Sequence, residues 1–217
     1  MSLANNGVLF LDELPEFSRS ACEALRQPLE EGEVTVSRAM TTVRFPSRFA
    51  LVAAANPCPC GHLGDSRSAC RCGLYDLRRY ASRLSGPLLD RVDLYVQVDR
   101  LTADELTGAA DAEPTAQVRA RVLAARALQR TRQGAENGRL ATADVAVHCQ
   151  VTPPARRTLM AAVDRLGLSA RGFHRALRVA RTVADLAGAE RVEDHHLKEA
   201  LTLRHLPIIG DREAQLV

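Results

Sequence analysis

Tryptophan is absent from the 217 residues, and aromatic residues make up only 4%. That scarcity argues against binding single strands by stacking bases on an aromatic platform. Long apolar runs are missing as well. The longest, residues 49–55, is far short of the roughly 20 residues a membrane helix needs, so no membrane partner is expected. Lysine occurs once, at Lys198, and the other 28 cationic side chains are arginine. Residues 1–4, Met-Ser-Leu-Ala, hold no basic stretch and no apolar core, so no secretory signal is read there. They are expected to be a tag remnant, and the expected compartment is the cytoplasm. Nor is there a large excess of one charge: the net is +3. With 46% hydrophobic and 25% charged residues, the composition is that of a globular protein and not of a disordered, collagen-like or coiled-coil chain.

The small net charge hides an asymmetry. Residues 1–113 carry 12 Arg against 16 acids, whereas residues 114–206 carry 16 basic side chains against 8 acids. A basic second half points to a polyanion, either nucleotide phosphate or nucleic acid; a solvated Arg face on helices is the competing reading. Six cysteines occur, four of them within fifteen residues. In a cytosolic protein such clustering points to metal or redox chemistry rather than disulfides.

Two kinds of pattern follow one another along the chain. Residues 7–13 and 49–55 are continuously apolar and read as strands buried on both faces, as in a parallel sheet. Between them, residues 18–30 read as a helix capped by Ser18, and residues 33–45 as a hairpin with its tip at Ser37-Arg38-Ala39-Met40. Residues 57–73 form a loop rich in Cys, Gly and Pro, 74–84 a helix, and 94–98 a third apolar strand. Beyond a polar segment, 102–115, the expected elements are all helices, at 115–133, 153–166, 169–187 and 193–205. Val118, Val122, Ala125 and Leu128 give the first of these an apolar stripe. The fold expected is an α/β parallel-sheet core over residues 5–101, a linker over 102–115, a helical domain over 116–208 and a tail over 209–217.

An open α/β sheet places its chemistry at the carboxyl ends of the strands. Two acids, Asp12 and Glu13, sit at one such end. There an Asp can orient Mg²⁺ beside nucleotide phosphates and a Glu can polarise an attacking water. Asn56 ends the second strand, where its amide can bond both a γ-phosphate and the water. Arg91, flanked by Asp90 and Asp93, can stabilise transition-state charge on a phosphoryl group held by a neighbouring subunit; a surface pair with either Asp is the plain alternative. Arg171, Arg175 and Arg178 follow at helical spacing behind the N-cap Ser169 and suit phosphate contact. Cys58, Cys60, Cys70 and Cys72 are spaced C-x-C-x9-C-x-C, and four thiolates can close a tetrahedral Zn²⁺ site with His62 as a substitute ligand. Reduced thiols or a reversible disulfide are the other readings. Cys22 and Cys149 read as core. His195 and His196 are adjacent on a helix, so they diverge by about 100°; with His205 they are expected at the surface.

Taken in this order, the elements resemble the AAA+ ATPases. The hairpin before Ala53-Ala54-Ala55-Asn56-Pro57 narrows the resemblance to the branch with magnesium chelatase ATPase subunits and MCM helicases. Pro57-Cys58-Pro59-Cys60-Gly61, the segment Ser85 to Asp93 and the segment Arg178 to Leu186 narrow it to the bacterial magnesium-chelatase-like proteins of the YifB/ComM family, over residues 5–206. The resemblance implies that residues 8–13 are Walker B, Asn56 sensor one, Arg91 the arginine finger and Arg171 the sensor-two Arg of a helical lid. It implies ATP and Mg²⁺ as cofactors, self-assembly into a ring, expected to be a hexamer, and DNA as partner. Members of the ComM type are associated with branch migration in natural transformation. Arg38 at the hairpin tip and Arg44 at its base are the DNA candidates.

One departure is plain. Gly-x-x-x-x-Gly-Lys-Ser/Thr occurs nowhere in the 217 residues. The chain is therefore expected to be the C-terminal portion of a longer ATPase and to be inactive alone, because that loop cradles the phosphates. A magnesium chelatase subunit and a non-enzymatic zinc-stabilised DNA-binding module are the alternatives.

Overall fold

The computed structural model describes residues 1–38, 41–65, 67–108 and 112–204, with the side chains of 38, 103 and 104 outside the description. The described residues form two compact units, Met1–Val92 and residues 93–204. The architecture is mixed α/β: a small parallel sheet with helices first, then helices alone. His205 and the tail 209–217 lie outside the described residues.

In the first unit, β1 (Val8–Leu11) runs parallel to β4 (Ala50–Ala53), with Val8 opposite Ala50 and Leu11 opposite Ala53. The chain between them forms α1 (Arg19–Ala24), α2 (Arg26–Glu31) and an antiparallel hairpin of β2 (Glu33–Arg38) and β3 (Thr41–Pro46). Ser18 caps α1 as expected, accepting the Ala21 N–H at 3.2 Å. The single helix read over 18–30 is broken at Leu25, because Pro28 has no N–H to give the carbonyl of Ala24. Gly32 ends α2 at φ 71°, and a Cβ there would meet Arg48 Cγ at 2.8 Å, so glycine is required on two counts.

The strands are not buried on both faces. Alternation sends Leu9 and Leu11 onto Leu14, Cys22, Leu25 and Leu88, while Val8, Phe10 and Val52 remain 62%, 60% and 48% exposed. An apolar run registers total hydrophobicity and not which neighbours are present. After β4 come the Cys-rich loop, α3 (Leu74–Ala81) and α4 (Gly86–Leu89).

The second unit holds α5 (Ala103–Thr107), α6 (Thr115–Gln133), α7 (Thr142–Cys149), α8 (Pro153–Leu166), α9 (Ala170–Leu186) and α10 (Asp194–Thr202). Val145, Leu159, Leu177, Ala180, Val192 and Leu197 form the centre of its core. Residues 94–98, expected as a third strand, have no ladder partner among the described residues and are irregular; Tyr95 N–H instead donates to the Leu203 carbonyl. Of the apolar stripe on α6 only Ala125 is buried. The buried line passes through Gln129, whose side-chain oxygen accepts the Asn137 N–H at 3.0 Å. No helix among the described residues is long and apolar enough to cross a membrane.

Candidate nucleotide site and metal centre

Asp12 and Glu13 leave the end of β1 exposed, and Asn56, also exposed, lies three residues past the end of β4. The parallel ladder brings these two ends side by side. It continues past the strands, with Ala54 N–H donating to Leu11 O and Leu14 N–H to Ala54 O, both at 2.9 Å. Asp12 Oδ1 accepts the Glu13 N–H at 2.9 Å. Glu13 itself adopts a left-handed backbone, φ 49° and ψ 46°. For a residue with a Cβ this costs about 1–2 kcal/mol, and such strain concentrates at functional sites. The Asn56 carbonyl accepts a bond from the Tyr80 hydroxyl of α3 at 3.0 Å.

Arg91 belongs to the same unit but is only 7% exposed. Its guanidinium pairs with Glu30 of α2 and donates to the Pro87 carbonyl at 2.6 Å. On the hairpin, exposed Arg44 pairs with Glu33 at 3.2 Å; the Arg38 side chain lies outside the described residues. Arg171, Arg175 and Arg178 share α9 in the second unit, behind Ser169, whose hydroxyl accepts the Gly172 N–H at 3.0 Å. Arg171 is exposed. Arg175 pairs with Asp93, and Arg178 donates to the Leu140 carbonyl at 2.6 Å.

The loop after Asn56 gathers Cys58, Cys60, Cys70 and Cys72 so that their sulfurs all lie within 4.8 Å of one another. Three of the separations are 3.4, 3.6 and 3.7 Å, and no disulfide is present. The backbone N–H groups of His62 and Arg71 bond the Cys60 sulfur and pull its thiol down to about 6. Desolvation and the neighbouring thiols push Cys72 up to about 12. His62 stands apart from the four sulfurs and faces Asp65 at 3.5 Å.

Two features of the helical unit were not read in the sequence. The first is a buried ionic network around Asp185, which is 3% exposed. Asp185 accepts from Arg132 at 2.6 and 3.0 Å, from Asn137 at 2.8 Å and from the fully buried Arg181 at 2.9 Å. Arg181 also donates to the carbonyls of Ala189 and Glu190. The second is His196, expected at the surface but only 2% exposed. Its Nδ1 accepts the Glu193 N–H at 3.1 Å, closing a capping box at the start of α10. The adjacent pair His195-His196 concealed this, because a spacing of one residue does not say which ring turns inward.

Burial holds the His196 imidazole below its ordinary pKa, with the His195 charge adding to the effect. Unfolded, the ring titrates near about 6.5. The neutral ring therefore contributes stability above that pH, which is lost as pH falls through the lower folded value. The urea midpoint is expected to drop between pH 7 and pH 5, and to drop less in His196→Gln, whose amide oxygen caps without titrating. An equal drop in the variant would remove His196 from the account.

The chain matches two adjoining family profiles: "Magnesium chelatase, subunit ChlI" over residues 1–106, and its C-terminal companion over residues 112–204. It belongs to the magnesium-chelatase-like family of AAA+ ATPases. Among its relatives, Competence protein ComM of Haemophilus influenzae is 46% identical over 205 residues, covering 94% of this chain and 40% of that protein. YifB of Escherichia coli is 41% identical over the same length and coverage. The magnesium-chelatase 38 kDa subunit of Cereibacter sphaeroides is 29% identical over 211 residues, 94% of this chain and 54% of that protein. The chain thus spans about two fifths of the ComM and YifB relatives it matches.

Proposed function

We propose that these residues belong to an ATP-hydrolysing ring motor that acts on DNA, and that they supply its Walker B carboxylates, sensor Asn, arginine finger and helical lid. The observation that carries the reading is the pairing of two adjacent parallel strands whose carboxyl ends lead into Asp12 and Glu13 on one side and to Asn56 on the other. Exposed carboxylate oxygens there fit Mg²⁺, a hard cation that prefers such donors and keeps several waters. Asp12 would hold it, and its charge would offset that of the phosphates. Glu13 takes a proton from the attacking water, and the Asn56 amide orients that water against the γ-phosphate. The reading includes a second metal, Zn²⁺, at the four clustered thiols.

Arg91 acts in trans and Arg171 in cis, with Arg175 and Arg178 on the same helix. For Arg91, only 7% exposed and paired with Glu30, this requires the side chain to turn outward to reach a neighbour's phosphate. Mixed rings of Glu13→Gln and Arg91→Ala subunits, each inactive alone, are expected to recover activity where intact Glu13 meets intact Arg91. Mixed rings with no recovery would contradict the trans role.

The name of the 46% identical Haemophilus relative, a competence protein, favours DNA as the partner over a porphyrin. Identity to the chelatase subunit is lower, at 29%. Arg38 and Arg44 of the hairpin are the proposed DNA contacts. In a protein of the relatives' full length, ATP turnover is expected to rise with DNA, and the rise to fade as salt releases phosphate contacts. Salt-dependent DNA binding that leaves turnover untouched would instead favour a zinc-stabilised binding module.

A further inference from the structure

We propose that a structural Zn²⁺ held by Cys58, Cys60, Cys70 and Cys72 fixes the backbone at Asn56, through α3 and the Tyr80 hydroxyl. The presence of zinc rests on the function proposed above; its control over Asn56 goes beyond it.

The sulfur geometry suits one ion. Two sulfurs each about 2.3 Å from a tetrahedral Zn²⁺ stand about 3.8 Å apart; the separations among Cys58, Cys60 and Cys70 are 3.4, 3.6 and 3.7 Å, and all four sulfurs lie within 4.8 Å of one another. A disulfide would need about 2.05 Å. The surroundings suit it too. Cys60 already accepts backbone N–H bonds from His62 and Arg71, the kind of outer contact that orients a ligand. Four thiolates around Zn²⁺ carry a net double negative charge. A cavity of about 440 Å³ beside Cys60 and Cys72 is lined by Arg71, Arg79 and Arg83, which offset it. Glu16 and Asp76 also line that cavity, and Glu16 holds Arg83 at 2.7 Å, which leaves Arg71 and Arg79 as the counter-charges.

The position along the chain supplies the coupling. Cys58 comes two residues after Asn56, and Cys72 immediately precedes Gly73, the N-cap of α3. One ion thus closes the loop 58–72 and ties the start of α3 to the end of the β4 segment. Tyr80, buried on α3 beside Leu77, then donates to the Asn56 carbonyl at 3.0 Å. Without the ion the loop regains its closure entropy, and the hold of α3 on Asn56 rests on contacts such as the Tyr80 hydrogen bond. Tyr80 is in this sense a positioning residue.

The test uses this 217-residue chain. Elemental analysis is expected to give about one Zn per chain. Replacement by Co²⁺ is expected to give the visible bands of a tetrahedral tetrathiolate site. Amide exchange is then followed at residues 54–56 and in α3. Chelation is expected to speed exchange in both segments. In metal-loaded Tyr80→Phe, exchange at 54–56 is expected to rise about tenfold, the worth of one hydrogen bond, with the Co²⁺ spectrum unchanged. Metal-free protein with four freely titrating thiols would overturn the zinc itself. Bound metal with exchange at 54–56 unmoved in Tyr80→Phe would overturn the coupling and leave the metal standing.

Discussion

Glu13→Gln, in a protein of the relatives' full length, is expected to bind ATP as the wild type does and to hydrolyse it about 10²–10⁴-fold more slowly, the range of a lost general base. The glutamine keeps the size and hydrogen-bonding reach of the side chain but cannot take a proton. Neither the Asp12 Oδ1 contact to the backbone N–H at position 13 nor the left-handed turn there depends on the carboxylate. The substitution should therefore spare the fold, which equal melting temperatures would check. Unchanged turnover would sink the assignment of Glu13. Weakened ATP binding would instead place Glu13 on the nucleotide or its cation.

The largest effect on stability is expected from Asp185→Ala. Arg132, Arg181 and Asn137 all converge on this carboxylate, and Arg181 is fully buried. Burial alone would raise the Asp185 pKa, but the bonds from Arg132 and Asn137 and the Arg181 charge outweigh it and hold the group below the usual carboxylate range. Removing the carboxylate strands a buried guanidinium charge. Breaking such a pair costs about 3–5 kcal/mol, enough to unfold the helical unit under mild conditions. Urea unfolding followed by helical circular dichroism measures this directly. A loss under 1 kcal/mol would show that water or Glu190 takes over from Asp185.

Residues with a strong local signal were legible. The tip of β1 announced itself as two acids after four apolar residues. Pro153 at the first helical position of α8 and Ser169 before α9 marked helix starts that the structure reproduces. What stayed hidden depends on partners far along the chain. Arg181 and Asp185 belong to the stretch that carried the family resemblance, yet nothing local says that Arg132, some fifty residues earlier, closes the network. Arg91 reads as a group reaching a neighbouring subunit's phosphate, with a surface pair to a flanking Asp as the alternative, yet it is held inside by Glu30, sixty-one residues away. Residues 94–98 have the composition of a strand but no ladder partner among the described residues, and a strand exists only as part of a ladder.

The central claim is that the ends of β1 and β4 form one hydrolytic site. A double-mutant cycle on Glu13→Gln and Asn56→Ala, read as single-turnover ATP hydrolysis in the full-length protein, tests it most directly. If both side chains act on the same water, their losses overlap, and the double variant is about as slow as the slower single one. Losses that multiply in full, or an Asn56→Ala that turns over like wild type, would contradict it.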